Sequence, residues 1–268
     1  MPNLKIGCLC VTKGDRAPVF GISFASYVSQ HSRQKATMLT VGTKGINWQP
    51  YVDVIKRVNY FDGVVGALVD KEVAFLTPKQ PDLTVCQCID LGCAELFVNH
   101  KCDLVTFWDD DDWAPSERVK MLSNLHDING IWTAGYSKGW FCNLRTLRAE
   151  HIDCVDWGLW GGSITFNRRT WEDLGGFAHR PLIAYDRSFV TDCLIKSGKV
   201  FILKGACPPV AFSHGKNVAT WCKGKVEPFE EKLKKWMSAV CFVEVKLGQQ
   251  FLIDRRIFPA PGVEDEDY

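Results

Sequence analysis

Asp103-Leu104-Val105-Thr106-Phe107-Trp108-Asp109-Asp110-Asp111-Asp112-Trp113-Ala114-Pro115 carries an apolar run, Leu104 to Trp108, straight into four consecutive carboxylates. A short unbroken apolar run of this kind predicts a strand buried on both faces. Pro115 then opens a segment with helical spacing at Val119, Leu122 and Leu125, and proline suits the first turn of a helix. The aspartates are therefore expected where a buried strand leaves its sheet, the edge at which open α/β sheets bind ligands.

Adjacent carboxylates repel one another unless a cation or a hydrogen-bond network compensates. An all-oxygen cluster suits hard divalent cations such as Mg²⁺ or Mn²⁺. The plainer alternative is a solvated acidic loop stabilised at a helix N-terminus. An EF-hand loop counted from Asp109 needs Gly at its sixth position and Glu at its twelfth, where the chain has Ala114 and Lys120; that rival fails.

The remaining sequence frames this segment. With 268 residues, 46% of them hydrophobic, the chain is long enough to bury a full core. Lys+Arg 32 against Asp+Glu 31 excludes a uniformly basic nucleic-acid coat, though not local basic patches. No apolar stretch approaches the roughly 20 residues that span a bilayer, and no signal-peptide pattern opens the sequence, so a soluble, cytoplasmic protein is expected. Twelve cysteines occur without a C-x-x-C pair, which predicts mostly buried, reduced thiols and no structural zinc.

Leu4 to Val11 reads as a first buried strand, followed by the polar turn Thr12-Lys13-Gly14-Asp15-Arg16 and a helix from Pro18 with Phe20, Phe24 and Tyr27 on one face. This is the opening of a βαβ unit, yet neither G-x-G-x-x-G nor a Walker-type loop is present. Further strands are expected at Ala36–Val41, Val64–Val69, Ile131–Tyr136, Phe141–Leu147, Ile164–Phe166 and Lys199–Leu203, and helices at Tyr51–Val58, Thr84–Asn99 and Leu182–Lys196. Trp157-Gly158-Leu159-Trp160-Gly161-Gly162-Ser163 reads either as core and turn or as a flat apolar wall for a sugar ring, with glycines permitting close approach. Gly175-Gly176 is a helix stop.

The order of these pieces resembles the GT-A glycosyltransferases, in particular the family-two group that uses nucleotide-sugar donors, over about residues 4–222. Thr12-Lys13-Gly14-Asp15-Arg16 is similar to that family's Thr-x-Asn-Arg turn, and Phe107 through Trp113 with Pro115 and Arg118 is similar to its D-x-D metal segment. Gly162-Ser163, Arg168-Arg169 and Leu174-Gly175-Gly176-Phe177 resemble its G…R-R…G-G-F stretch, and Phe212-Ser213-His214-Gly215-Lys216-Asn217 its His-Gly-x-Asn segment. The resemblance implies a single α/β GT-A domain over 1–222, Rossmann-like, with a mostly parallel central sheet and flanking helices. A helical extension over 223–258 and a disordered acidic tail over 259–268 are expected beyond it. It also implies a metal site of Asp109, Asp111 and His214. Donor contacts are implied from Thr12, Lys13, Asp15, Arg16, Asp109, Asp110, Trp160, Gly161, Gly162 and Asn217. Asp186 falls where the family carries its catalytic base. The family's usual acidic residue after the second strand is missing at Val41-Gly42-Thr43-Lys44.

The expected activity is transfer of a sugar from a nucleotide-diphosphate donor, a UDP-sugar foremost, to an acceptor hydroxyl, with Mn²⁺ or Mg²⁺ and with inversion. The basic clusters Lys223-Gly224-Lys225, Lys232-Leu233-Lys234-Lys235 and Arg255-Arg256, near Trp221 and Trp236, make hydroxymethylated pyrimidine in bacteriophage DNA one acceptor to test. A cell-surface polysaccharide transferase, a nucleotidyltransferase and a non-enzymatic sugar-binding module are the competing readings.

Overall fold

The computed structural model describes residues 4–14, 16–30, 35–42, 45–61, 71–80, 82–125, 130–143, 148–154, 158–182, 184–203, 209–213 and 226–228. The first half alternates strand and helix: β1 (Ile6–Thr12), α1 (Ala17–Val28), β2 (Ala36–Gly42), α2 (Gln49–Phe61), β3 (Lys71–Leu76), α3 (Val85–Ala94) and β4 (Leu104–Phe107). Then follow β5 (Asp112–Trp113), α4 (Arg118–Ser123), β6 (Trp132–Gly135), β7 (Lys138–Asn143), β8 (Arg148–Asp153), β9 (Thr165–Asn167), α5 (Arg168–Asp173), α6 (Tyr185–Ile195), β10 (Lys199–Ile202), β11 (Val210–Ser213) and β12 (Val226–Pro228).

A seven-stranded sheet in the order β10-β6-β9-β4-β1-β2-β3 forms the centre. β9 runs antiparallel to both its neighbours; the other six strands share one direction. Successive residues of β1 face opposite sides of this sheet, and both sides are covered. Ile6, Cys8 and Cys10 pack with Phe20, Phe24 and Tyr27 of α1 and with Tyr51 and Val54 of α2. Leu9 packs on the other side with Cys88, Ile89 and Cys93 of α3 and Phe189 and Val190 of α6. The expected α/β class with a mostly parallel sheet and flanking helices is what the chain adopts. The nine cysteines among the described residues are free and buried, in keeping with the thiol reading.

A second sheet, β12-β8-β7-β11-β5, lies after the acidic run. β5 is Asp112–Trp113 itself, so the four aspartates connect one sheet to the other. Several expectations are corrected here. Lys138 and Gly139, which fall between two expected strands, belong to β7, and β8 was not anticipated. Pro115 precedes α4 rather than opening it: its carbonyl accepts the N–H of Arg118, where the helix starts. Val226–Pro228, expected as helix, pairs as a strand with β8. The strand expected at 64–69, the rest of the C-terminal extension and the acidic tail lie outside the described residues. Among the described residues no helix is long and apolar enough to cross a membrane.

Candidate functional site

The site is built where β1 and β4 end together. Residues Ile6 to Leu9 of β1 are in register with Leu104 to Phe107 of β4, which brings the turn after Thr12 beside the acidic run. α1 fixes that run from one side. The Ser23 hydroxyl donates to the Asp109 carbonyl at 2.6 Å, and the Trp108 indole N–H donates to the Ser23 carbonyl at 3.2 Å. Trp108 and Trp113 are buried core residues as well as lining a small cleft with Asp109, Asp112, Trp160, Gly162 and Pro209.

Arg16, immediately ahead of α1, donates to Asp110 Oδ1 at 3.0 Å and to Asp111 Oδ2 at 2.9 Å. These carboxylates raise its affinity for its proton against the cost of burial. Beneath the run, Arg118 is only 1% exposed. It donates to Thr106 Oγ1 (2.5 Å), to the Phe107 carbonyl (2.6 Å) and to the Gly162 carbonyl (3.1 Å), and its guanidinium lies 5.0 Å from the Trp108 ring centre. The Asp112 carboxylate accepts a backbone N–H from Phe212.

Two arginines do not balance four carboxylates. Burial, reinforced by Asp111 and Asp110, pushes Asp109 up to about 7. Burial with Asp111 pushes Asp110 up to about 6, and Asp112 is raised well above the ordinary carboxylate range by the same causes. Asp110, 1% exposed, is eased by Arg16 and by the Thr12 hydroxyl, yet its Oδ2 has no well-formed hydrogen bond. A buried carboxylate whose oxygens are incompletely satisfied is costly unless further positive charge reaches it.

The turn Gly161–Ser163 crosses directly in front of these groups. A Cβ on Gly162 would sit 2.2 Å from Asp109 Oδ2, and one on Gly161 would sit 2.3 Å from Asp186 Oδ2. Consecutive glycines thus touch the two carboxylates from adjacent positions, which places those carboxylates within roughly 10 Å of each other. Asp186 stands in the first turn of α6, and burial raises its pKa. Trp160 lies over Gly139, where an added Cβ would meet its ring at 2.4 Å.

The structure therefore gathers Arg16, Asp109, Asp110, Asp111, Trp160, Gly161, Gly162 and Asp186 around one edge. Thr12 ends β1 and shares a hydrogen bond of 2.7 Å with the Tyr51 hydroxyl, while Lys13 is exposed in the turn. Asp15, His214 and Asn217 lie outside the described residues. Among the described residues no three carboxylate, imidazole or thiol groups converge as a ready metal cluster. Asp109, Asp110 and Asp111 nevertheless fit a hard divalent cation in chemistry: they are all-oxygen donors, and burial among like charges holds Asp109 and Asp110 above the ordinary carboxylate range. Sequence reading overlooked Tyr51, and no local signal marks it: its partner Thr12 is 39 positions away.

No protein-family profile matches the chain, and no curated protein sequence matches it. Solved structures do. A mannosyltransferase, PcManGT from Pyrobaculum calidifontis, in complex with GDP-Man and Mn²⁺, superposes with a TM-score of 0.51 at 14% identity, covering 78% of this chain and 56% of its own. S. aureus TarS 1–349 in complex with UDP-GlcNAc gives a TM-score of 0.55 at 10% identity, covering 94% of this chain and 71% of its own. The same fragment of TarS in another crystal structure gives 0.54, with 60% of its length covered. The chain thus spans little more than half of the mannosyltransferase and shares with these structures the GT-A α/β fold.

Proposed function

We propose that this chain is a metal-dependent, family-two-like glycosyltransferase that moves a sugar from a nucleotide-diphosphate donor to an acceptor hydroxyl with inversion. The observation that carries the reading is the pairing of an undercompensated acidic run with a second, separately placed carboxylate across Gly161–Gly162. The mannosyltransferase with GDP-Man and Mn²⁺ and TarS with UDP-GlcNAc support a nucleotide-sugar donor on this fold, and a UDP-sugar is the donor proposed.

Asp109 and Asp111, with His214 from outside the described residues, would hold the Mn²⁺ or Mg²⁺. Bound there, a divalent cation would supply Lewis-acid stabilisation of the negative charge on the leaving diphosphate, a contribution of several kcal/mol. Arg16 adds a fixed positive charge at the same edge, and Thr12 and Lys13 line the donor side of the turn. Gly161 and Gly162 let backbone approach the reacting centre where any side chain would displace a carboxylate. Trp160 offers its half-buried ring as an apolar wall for the sugar. Asp186 takes the proton of the attacking hydroxyl, and its burial-raised pKa makes it a better base than an exposed aspartate.

The acceptor proposed is a hydroxyl of hydroxymethylated pyrimidine in DNA, resting on the basic clusters after residue 222, which lie outside the described residues. The test is a panel of nucleotide-sugar donors with Mn²⁺, scored for nucleoside diphosphate release, alone and then with hydroxymethylated duplex DNA. Diphosphate release supports a glycosyltransferase; pyrophosphate release would make it a nucleotidyltransferase. Asp186→Asn should lower turnover by about a thousandfold while donor binding holds, at the scale of a removed general base. Full activity in that variant removes Asp186 from the role.

A further inference from the structure

We propose that Asp90 is a positioning residue: by gripping the Gly176–Ala178 turn from α3, it seats Phe177 between β4 and α6 and so sets where Asp186 stands. The inference rests on the reading of Asp186 as the base and goes beyond it to what holds that base in place.

Asp90 lies on the middle of α3, the helix that precedes β4 and the acidic run. Its carboxylate accepts four contacts from one neighbourhood: the Trp171 indole N–H at 2.7 Å, the Phe177 N–H at 2.8 and 2.9 Å on its two oxygens, and the Ala178 N–H at 2.7 Å. Hydrogen bonds to an ionised acceptor are the strong ones. Gly176 has φ +71°, and a Cβ there would lie 2.5 Å from Asp90 Oδ1, so the turn reaches the carboxylate only because this residue is glycine.

The turn held in this way carries Phe177. That ring is stacked on Phe189 of α6 at 4.4 Å and 14°, lies 6.2 Å edge-on from Tyr185, and is 5.2 Å from Phe107 of β4. Phe177 thus touches the residue before Asp186 and a residue two before Asp109. Arg180 completes the clamp from within the core. Its side chain is fully buried and donates to the carbonyls of Gly176 (2.8 Å) and Leu174 (3.2 Å), and to Ser188 Oγ (2.9 Å) and Asp192 Oδ2 (2.7 Å) on α6. Ala184, just ahead of α6, is held at φ +63°, a left-handed conformation that costs a non-glycine residue about 1 kcal/mol and persists only under outside constraint.

The test uses the full chain carrying Asp90→Asn, which keeps the shape but turns one acceptor into an N–H₂ facing N–H donors. Hydrogen exchange is read in the segment 184–190 against α1 as an internal reference, together with kcat and donor affinity in the diphosphate-release assay. Faster exchange at 184–190 alone, kcat lower by about tenfold and donor affinity within about twofold are expected, in line with the cost of misplacing a reacting group. Unchanged exchange at 184–190, unchanged kcat, or an equal loss of kcat and donor affinity each overturns the proposal. Should the wild type release no nucleoside diphosphate, the transferase reading fails, and exchange still decides whether Asp90 holds α6. If Asp90→Asn does not fold, Trp171→Phe removes a single donor to the same carboxylate. The same local exchange with a smaller, about threefold, loss of kcat is then expected, and no change in either overturns the proposal.

Discussion

Replacing Gly162 by alanine separates binding from chemistry at this site. The added Cβ would lie 2.2 Å from Asp109 Oδ2, 2.9 Å from its Cγ and 3.4 Å from Asp112 Oδ2, while carbon atoms of this kind essentially never approach closer than 3.0 Å. The Gly162 carbonyl is tied to Arg118, so the turn cannot simply back away, and the Asp109 carboxylate must retreat by about 1 Å. Overpacking of this size costs about 1–3 kcal/mol, which a domain stable by roughly 5–15 kcal/mol survives. For a group that binds the donor's metal, a displacement of that size costs on the order of a hundredfold, equivalent to about 2.7 kcal/mol. The assay is titration calorimetry of a nucleoside diphosphate with and without Mn²⁺, beside turnover. Gly162→Ala should lose the Mn²⁺-dependent part of donor affinity. Gly161→Ala, whose Cβ meets Asp186 at 2.3 Å, should keep that affinity and lose kcat. Gly130→Ala, with nothing within 4 Å, controls for the loss of a glycine. Wild-type Mn²⁺-dependent affinity in Gly162→Ala would refute the reasoning.

Two further outcomes follow from the charges beneath the run. Arg118→Met strips three hydrogen bonds from a buried guanidinium and leaves the carbonyls of Phe107 and Gly162 unpaired, so chemical denaturation should show a loss of about 3 kcal/mol or more; a loss under about 1 kcal/mol contradicts the role given to it. Asp109 is raised from the ordinary 3.8 to about 7, so in that window the folded chain retains a proton that the unfolded chain has released. Its contribution to stability therefore falls as pH rises through the window. Asp109→Asn should flatten the decline measured by urea unfolding between these pH values, and an unaltered slope would count against the charge accounting.

Local pattern carried much of this architecture. Leu104–Phe107 and Ile6–Thr12 are mostly apolar runs without a charged residue, and a strand covered on both faces leaves that trace in the sequence. The helix stop at Gly175-Gly176 was legible for the same reason, being set by neighbours in sequence, whereas α6 begins at Tyr185 rather than at the expected Leu182. β8 was illegible because Arg148-Ala149-Glu150-His151-Ile152-Asp153 mixes charge with apolar residues and is held by pairing to β7. β3, at Lys71–Leu76, begins two residues beyond the segment expected as a strand and opens with two charges. The partner of Asp111 could not be read from the run itself, since Arg16 is 95 positions away. Asp90 looked like any polar residue on an amphipathic helix; its value comes from N–H groups 81 to 88 positions further on.

The central claim is that the acidic run receives a divalent cation bridging to the donor's phosphates. Anomalous diffraction from a crystal soaked with Mn²⁺ and a nucleoside diphosphate tests it directly. One strong manganese peak in contact with the Asp109–Asp111 carboxylates and with phosphate oxygens is expected. A nucleotide bound with no manganese there, or manganese bound only away from these residues, would contradict it.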